Sequence, residues 1–425
     1  MLLRERIYET LTKAARPLVR LVAPLHPQLR RAYAGRVTVV EMLATWARAH
    51  RTAAPLVWFH APSVGESLMA QAIIEDLRRT VPGVQVAFTH FSPSAERIRE
   101  RIGADVSTYL PWDITADIVA VLDALRPDVI AFVRTEIWPV LVDTAHRRQV
   151  RTCLVNGVLS ARSSRLRAPS RFLLSPGYGR LDAVGAINAA AAERFVALGA
   201  RPSVVTVTGD ARFDQVWRRV AAIDRDAPLL KRLRDAAHFT IVCGSTWPAD
   251  DDRIIAALVE LFRDGGSRAI VAPHQPDSKH LAGLEQRLRD AGLRFARLAD
   301  VEAGADIPDV TVVDRVGVLA DLYAIADVAY VGGGFHSAGL HSIVEPAGLA
   351  VPVLFGPRHD NAAEAAEMMA AGGAFEVSDA NSLAHALRAL MDDATRARAG
   401  RAAREFVERR LGAAERNATL VSSLL

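Results

Sequence analysis

What the chain lacks narrows it first. It has only two cysteines, Cys153 and Cys243, in 425 residues, and both sit inside apolar runs. They read as small core residues, which excludes a disulfide framework or a cysteine-based metal cluster. Net charge is only +4, which argues against a general nucleic-acid binder. The longest uncharged run near the start, 21–29, is nine residues with two prolines, too short to span a bilayer. Arginines interrupt any apolar core that a signal peptide would need. No His/Cys/Asp group has metal-ligand spacing. There is no GKS or GKT triplet of a P-loop and no G-x-S-x-G elbow of a serine hydrolase. Repeats and low-complexity segments are absent. Aromatics make up 6% of the chain, against 50% hydrophobic residues overall, so the interior is built from Ala, Val and Leu. That profile fits a soluble α/β enzyme of two or three domains.

What is present is alternation. Strands are expected at 56–60, 85–89, 106–110, 129–133, 152–155, 183–186 and 204–207, with helical segments such as 67–80 and 116–125 between them. A second set follows at 239–243, 269–272, 294–297, 310–313, 328–331, 353–355 and 374–377. Strands alternating with helices imply parallel sheets with right-handed crossovers. The charged stretch 210–236 has no strand pattern and marks the boundary. The expected layout is a helical segment 1–50, a first doubly wound domain 51–217, a second 218–395, and a tail 396–425 that crosses back. The two doubly wound domains would face each other across a cleft lined by the carboxyl ends of their strands. Leu3, Ile7, Leu11, Ala14, Leu18, Val22 and Leu25 form a helical stripe amid charged residues. Such a basic amphipathic helix suits a membrane interface, or equally a helix packed on the first domain. Arg30, Arg31 and Arg36 extend its basic patch.

The loops at the strand ends carry the chemistry. Gly332, Gly333 and Gly334 precede a helix expected to open near His341 or Ser342, a place suited to phosphate. Glu345 in that helix could accept from a ribose, or lie on a solvated face. Glu66, with Ser63 and Gly65, follows the first strand. It is either a general base or half of a capping box with Ser63. Arg134 and Glu136 beside Trp138-Pro139 form either a ligand wall or a weak local ion pair. Arg212 follows the first domain's last strand. It could neutralise phosphate or carboxylate, or pair with Asp210 or Asp214. Gly244, Ser245 and Thr246 resemble another phosphate-side loop. His274 could bond a base or phosphate, or be structural. The 316–318 loop, Val316-Gly317-Val318, could offer backbone groups to a nucleobase.

The motifs HAPSVGE (60–66), YLPWD (109–113), TEIWP (135–139), GDARFD (209–214), GSTWPADDD (244–252), APH (272–274), VGGGFHSAGLHSIVEPA (331–347) and VPVLFGP (351–357) are spread along the chain, and the likeness they carry runs nearly its whole length. With them the chain resembles the bacterial Kdo (3-deoxy-D-manno-octulosonic acid) transferases, inverting glycosyltransferases of the two-domain GT-B fold. The resemblance implies CMP-Kdo as donor on the second domain, a lipid A precursor as acceptor on the first, and no metal. It makes Glu66 the general base and Arg212 the group that stabilises charge in the transition state. It assigns the cytidine nucleotide to Pro273, His274, Val316, Gly317, Val318, Ser342, Ile343, Val344 and Glu345. It places the protein at the cytoplasmic face of the inner membrane.

The chain departs from that pattern at several places. Arg134 stands where many members have Glu, Arg212 where they have Lys, His274 where they have Arg, and Ser342-Ile343-Val344 where they have Asn-Pro-Leu. Glu136 could take part of the role usual at position 134, or Arg134 could bind the Kdo carboxylate. Competing readings are a GT-B enzyme acting on a UDP-sugar, as transferase or epimerase, and a nucleotide- or sugar-binding protein without turnover.

Overall fold

The computed structural model describes residues 3–425, without the side chains of residues 3 and 264. Contacts divide it into two units. One runs up to Gln215 and takes in Arg410–Leu425; the other is Val216–Arg409. Each is built on a seven-stranded, all-parallel sheet.

The first sheet holds β1 (Leu56–Ala61), β2 (Gln85–His90), β3 (Val106–Tyr109), β4 (Val129–Val133), β5 (Arg151–Gly157), β6 (Ala183–Ala186) and β7 (Val205–Val207), in the order β3-β2-β1-β4-β5-β6-β7. β1 is buried at every position, the pattern of a parallel strand covered on both faces. Because side chains alternate, Leu56 and Trp58 enter one core while Val57, Phe59 and Ala61 enter the core on the opposite face. The second core is closed by the chain's last helix, Ala413–Ser422, whose Ala414, Ala418 and Val421 pack with Met69 and Ile73 of helix Val64–Thr80. The preceding helix, Asp393–Glu408, stays with the other unit.

The second sheet holds β8 (Phe239–Thr246), β9 (Ser267–Pro273), β10 (Phe295–Arg297), β11 (Val310–Val312), β12 (Val328–Val331), β13 (Val353–Phe355) and β14 (Ala374–Glu376), in the order β10-β11-β9-β8-β12-β13-β14. The order reverses between β1 and β4 in the first sheet and between β8 and β12 in the second. Ligands of open α/β sheets bind at such switch points, beyond the carboxyl ends of the strands.

Three expectations change. The loop after β12 is longer than its glycines suggest, and its helix opens at Val344 and spans only Val344–Gly348. The first helix, Leu3–Val22, sits on the first unit with its polar side inward. Glu5, 1% exposed, pairs with Arg180, and Glu9, 5% exposed, accepts the Thr115 N–H at 2.9 Å. The apolar stripe therefore faces outward: Leu18 is 61% exposed, Leu21 73% and Leu25 74%. Arg36 does not extend a surface patch, because it is buried. Among the described residues, no helix is long and apolar enough to cross a membrane.

Candidate functional site

In the first unit the switch point collects Glu66, Arg134, Glu136 and Arg212. Glu66 lies in the first turn of Val64–Thr80, directly after β1. Ser63 is the N-cap, but its side chain does not cap the backbone; its hydroxyl donates to the Glu66 carboxylate instead. The capping box is therefore not formed, and Glu66 is held by a hydroxyl rather than by the cap nitrogen. Ser67 Oγ donates to the Ser63 carbonyl at 2.7 Å and completes the turn.

Arg134 follows β4 with a left-handed backbone, φ 78°. Its N–H donates to Val155 O at 3.0 Å and its carbonyl accepts from Val158 N at 3.2 Å, so β5 and the loop after it fix the kink. The guanidinium does not meet Glu136. It lies 3.8 Å from Asp210, and Arg212 approaches the same Asp210 oxygen at 3.6 Å. Asp214, the other partner considered for Arg212, accepts the Gly412 and Ala414 N–H groups at 2.6 and 3.0 Å. Burial raises the Glu136 carboxyl above its ordinary range; the Arg165 charge opposes this and the Glu66 charge adds to it. The two carboxylates thus feel each other's field.

Two asparagines hold this constellation. Asn156, at the end of β5 and left-handed at φ 52°, accepts the Ala211 N–H at 2.8 Å and donates to Met69 Sδ at 3.0 Å. It ties the loop of Arg212 to the helix of Glu66. Asn417, fully buried in the last helix, accepts from Asn156 N at 2.9 Å and Thr208 Oγ1 at 3.1 Å. Reading the sequence missed both, since nothing local marks an asparagine that acts across 261 residues.

The second unit's switch point differs from the expected anion cradle. Gly332 N–H donates to Gly244 O at 2.9 Å, and Gly333 N–H donates to Asp250 Oδ2 at 2.9 Å. Two of the three glycine N–H groups are thus already engaged, and a carboxylate lies behind them. The glycines serve close packing. A Cβ on Gly332 would strike the Ser245 carbonyl, and Gly333, at φ 95°, would strike Gly339 O. Gly334 lies against the Gly356 backbone, so it too is required by packing. Gly244 O and Thr246 O accept from Gly332 and His274 at 2.9 Å, which leaves the Ser245 region shaped by the backbone. Ser245 itself is left-handed at φ 56°. Asp250 also accepts from Tyr330 Oη and Trp247 N, each at 2.9 Å.

Around His274 the structure assembles a ring stack. Trp247 and His336 lie parallel with centroids 3.9 Å apart, His274 stacks on His341 at 4.3 Å, and Trp247 Nε1 donates to His341 Nε2 at 3.1 Å. Burial, with neighbouring imidazoles, pushes His341 down to about 4 and lowers His274. Sequence reading named His274 alone. The available signal was three histidines at strand-end loops: Pro273-His274, Phe335-His336 and Leu340-His341. Val316 and Gly317 are exposed in the loop after β11, Gly317 at φ 96°, while Val318 O starts the next helix by accepting from Leu322 N at 3.1 Å. Ser342 is exposed; Ile343 and Val344 are buried and position Glu345. Glu345 is not on a solvated face. It pairs with Arg219 at 3.3 Å, and burial raises its carboxyl. Among the described residues no group of three or more His, Cys, Asp or Glu is placed to hold a metal ion.

Residues 36–215 match the family model described as 3-deoxy-D-manno-octulosonic-acid transferase. A protein of that name from Bordetella pertussis is 30% identical over 388 residues, 87% of each chain. The chain belongs to the 3-deoxy-D-manno-octulosonic-acid transferase family. The family's Haemophilus influenzae member is 25% identical over 384 residues, again 87% of each chain. Solved structures extend the fold further. A glycosyltransferase from Rickettsia africae superposes with a TM-score of 0.59 at 12% identity, covering 88% of this chain and 98% of its own. A UDP-GlcNAc 2-epimerase from Neisseria meningitidis does so with 0.58 at 12% identity, covering 87% and 98%. This Kdo transferase family member therefore has the two-domain α/β architecture of the GT-B nucleotide-sugar enzymes.

Proposed function

We propose that the chain moves Kdo from CMP-Kdo to a lipid A precursor in lipopolysaccharide core biosynthesis, with inversion. The acceptor binds on the first unit. Glu66 takes the proton of its hydroxyl as the oxygen attacks the anomeric carbon. The bond to the phosphate breaks, and the electron pair leaves with CMP. The observation that carries this reading is the state of Glu66 in a chain of this family. Its carboxylate stands at the switch point, held by the Ser63 hydroxyl and not tied to the backbone. A base needs such a lone pair within reach of the acceptor.

The transition state is oxocarbenium-like, and charge builds on the departing phosphate. Arg212 is suited to meet it, and Arg134, turned toward the same Asp210, is placed to take the Kdo carboxylate. On the second unit, the stack of Trp247, His274, His336 and His341 offers an aromatic platform for cytosine. The exposed backbone at Val316 and Gly317 supplies base-edge contacts, and Glu345, with Ser342 before it, faces the ribose. The outward apolar stripe, flanked by Arg6, Lys13 and Arg20, supports attachment to an anionic bilayer surface on the cytoplasmic side.

The test is direct. The protein is incubated with CMP-Kdo and a lipid A precursor, and CMP release and lipid mass are followed. Lipid that gains no Kdo mass overturns the function. A Leu18→Glu/Leu21→Glu variant should sediment less with anionic vesicles; unchanged sedimentation removes the stripe from the account.

A further inference from the structure

The first unit holds a cavity of about 620 Å³ that the transfer chemistry does not use. That size is within the range of small-molecule sites, about 300–1,000 Å³. One wall is the inward side of the first helix, at Ala15 and Val19; the floor is Ala32 and Leu110. The opposite wall is Phe91 and Trp138, stacked with centroids 5.5 Å apart. That wall is tied to the loop that leads to the candidate base, because the Phe91 and Ser92 N–H groups donate to the Pro62 carbonyl at 3.2 and 2.8 Å, just ahead of Ser63. Trp138 lies two residues beyond Glu136. At the other side the helix carries the exposed row Leu18, Leu21 and Leu25.

The lining is apolar but contains hydrogen-bond donors that lack acceptors. Arg36 is 8% exposed and lies 4.0 Å from the Phe91 ring centre. Its one hydrogen bond is to Phe91 O at 3.3 Å, and no carboxylate pairs with it among the described residues. The wall's carboxylate, Asp113, is instead occupied by the Val140 and Leu141 N–H groups at 3.1 and 2.8 Å. Among the described residues, Trp112 Nε1 and Trp138 Nε1 are buried without a partner. A buried guanidinium with no counter-charge is costly, and so are orphaned indole N–H groups, unless something arrives to satisfy them.

We propose that this cavity takes one hydrocarbon chain of the acceptor lipid, with Arg36 binding the oxygens at the chain's head. This rests on the transfer reading above, which supplies a lipid acceptor. The site's chemistry suits such an occupant: a mostly apolar volume, a buried guanidinium with no carboxylate partner among the described residues, one wall tied to the loop that leads to Glu66 and the other beside an outward apolar row. The chain would leave the bilayer along Leu18, Leu21 and Leu25, and its head would be anchored by Arg36. The first unit would then select its acceptor by acylation as well as by sugar.

The probe is n-dodecyl phosphate, titrated into the full-length protein by calorimetry below its micelle concentration. Wild type should bind it with a negative heat-capacity change, the mark of apolar burial. Ala15→Trp, which fills the cavity from a helix surface, should weaken binding at least tenfold. Arg36→Met should weaken dodecyl phosphate more than dodecanol. In the transfer assay, Ala15→Trp should raise KM for an acylated acceptor with kcat retained. Thermal unfolding checks that each variant is folded. If wild type does not bind the probe, or folded Ala15→Trp binds it as wild type does, the proposal is overturned. If dodecyl phosphate binds as expected and no Kdo is transferred, the function above fails and the cavity assignment stands. Equal loss of vesicle binding and probe binding in Ala15→Trp would place the probe on the bilayer-facing row and also overturn it.

Discussion

The two sheets have the same form and handle their switch points differently. In the first unit, charged side chains from three strand ends are brought together and held by buried amides, Asn156 and Asn417. In the second, glycines let strands and loops approach within contact, and one buried carboxylate, Asp250, gathers Trp247, Tyr330 and Gly333. The first arrangement positions charges and leaves Glu66 on a hydroxyl. The second makes a rigid, aromatic-faced surface whose backbone donors are largely engaged. Under the proposed transfer, the first unit would move a proton and need side chains with accessible lone pairs, and the second would hold a nucleotide and need shape. One topology can serve both because the switch point fixes only where a ligand goes.

The comparison breaks most visibly at Glu66. Glu66→Gln should keep CMP binding and lose turnover by about 100-fold or more, the scale of a lost general base. Steady-state rates with nucleotide titration alongside decide it. A fully active variant would return Glu66 to a structural role and leave the first unit without its defining residue.

Asp250→Ala tests the second unit in the same way. It strands the Tyr330 hydroxyl and the Trp247 and Gly333 N–H groups, each buried donor costing about 1–3 kcal/mol. Since the three share one site and do not add, a loss of about 3 kcal/mol is expected, read as a lower denaturant midpoint, together with weaker CMP binding. Asn417→Ala in the first unit should cost less, about 1–2 kcal/mol, because an amide bond is neutral. If Asn417→Ala proves the more damaging, the contrast between charge-held and shape-held units is misdrawn.

The fold was legible because parallel strands are continuous apolar runs, and all fourteen stand at their expected places. Glu66, Arg134, Glu136 and Arg212 were legible as charges at strand ends. Asp210 beside Arg212 and Ser63 beside Glu66 were legible too, but the partner of Arg134 was not. Arg134 turns from Glu136 to Asp210 because a left-handed backbone, invisible in residue type, redirects its side chain. The glycine loop was misread because a glycine needed for close approach and one that exposes its N–H look alike in sequence; only Asp250, more than eighty residues earlier, decides between them. The first helix was read correctly as amphipathic, but which side faces the protein depended on Arg180 and Thr115 being there to receive Glu5 and Glu9.

Acid should test both units together. His60 and His90 in the first are pushed down to about 3 and about 4, and His341 in the second to about 4, each chiefly by burial. Unfolded histidines take up protons below about 6.5 while these folded ones do not, so stability falls as pH drops from about 6.5 toward 4. Above that window the three contribute nothing. Each contributes a slope of about 1.4 kcal/mol per pH unit inside it. Urea midpoints across pH 4.5–7.5 measure the slope, and His60→Gln and His341→Gln should each reduce it by about one proton. A slope unchanged by His341→Gln would mean the ring stack opens to solvent, unlike the core of the first unit.

The smallest effect concerns the kink that sets the first unit apart. Arg134 is one of the few non-glycine residues with a left-handed backbone, and the left-handed form costs an L-residue about 1–2 kcal/mol. Arg134→Ala keeps that strain and removes the guanidinium; Arg134→Gly removes both. The two variants lack the same contact with Asp210, so their difference isolates the backbone. Glycine should be the more stable by about 1 kcal/mol, after its greater unfolded-state freedom takes back part of the relief. Equilibrium unfolding of the pair measures it, and equal midpoints would mean that the chain relaxes out of the kink once the side chain is gone. Both should raise KM for CMP-Kdo alike if the guanidinium takes the donor's carboxylate. A rise confined to Arg134→Gly would instead make the kink's rigidity, and not the charge, the thing the transfer needs at this position.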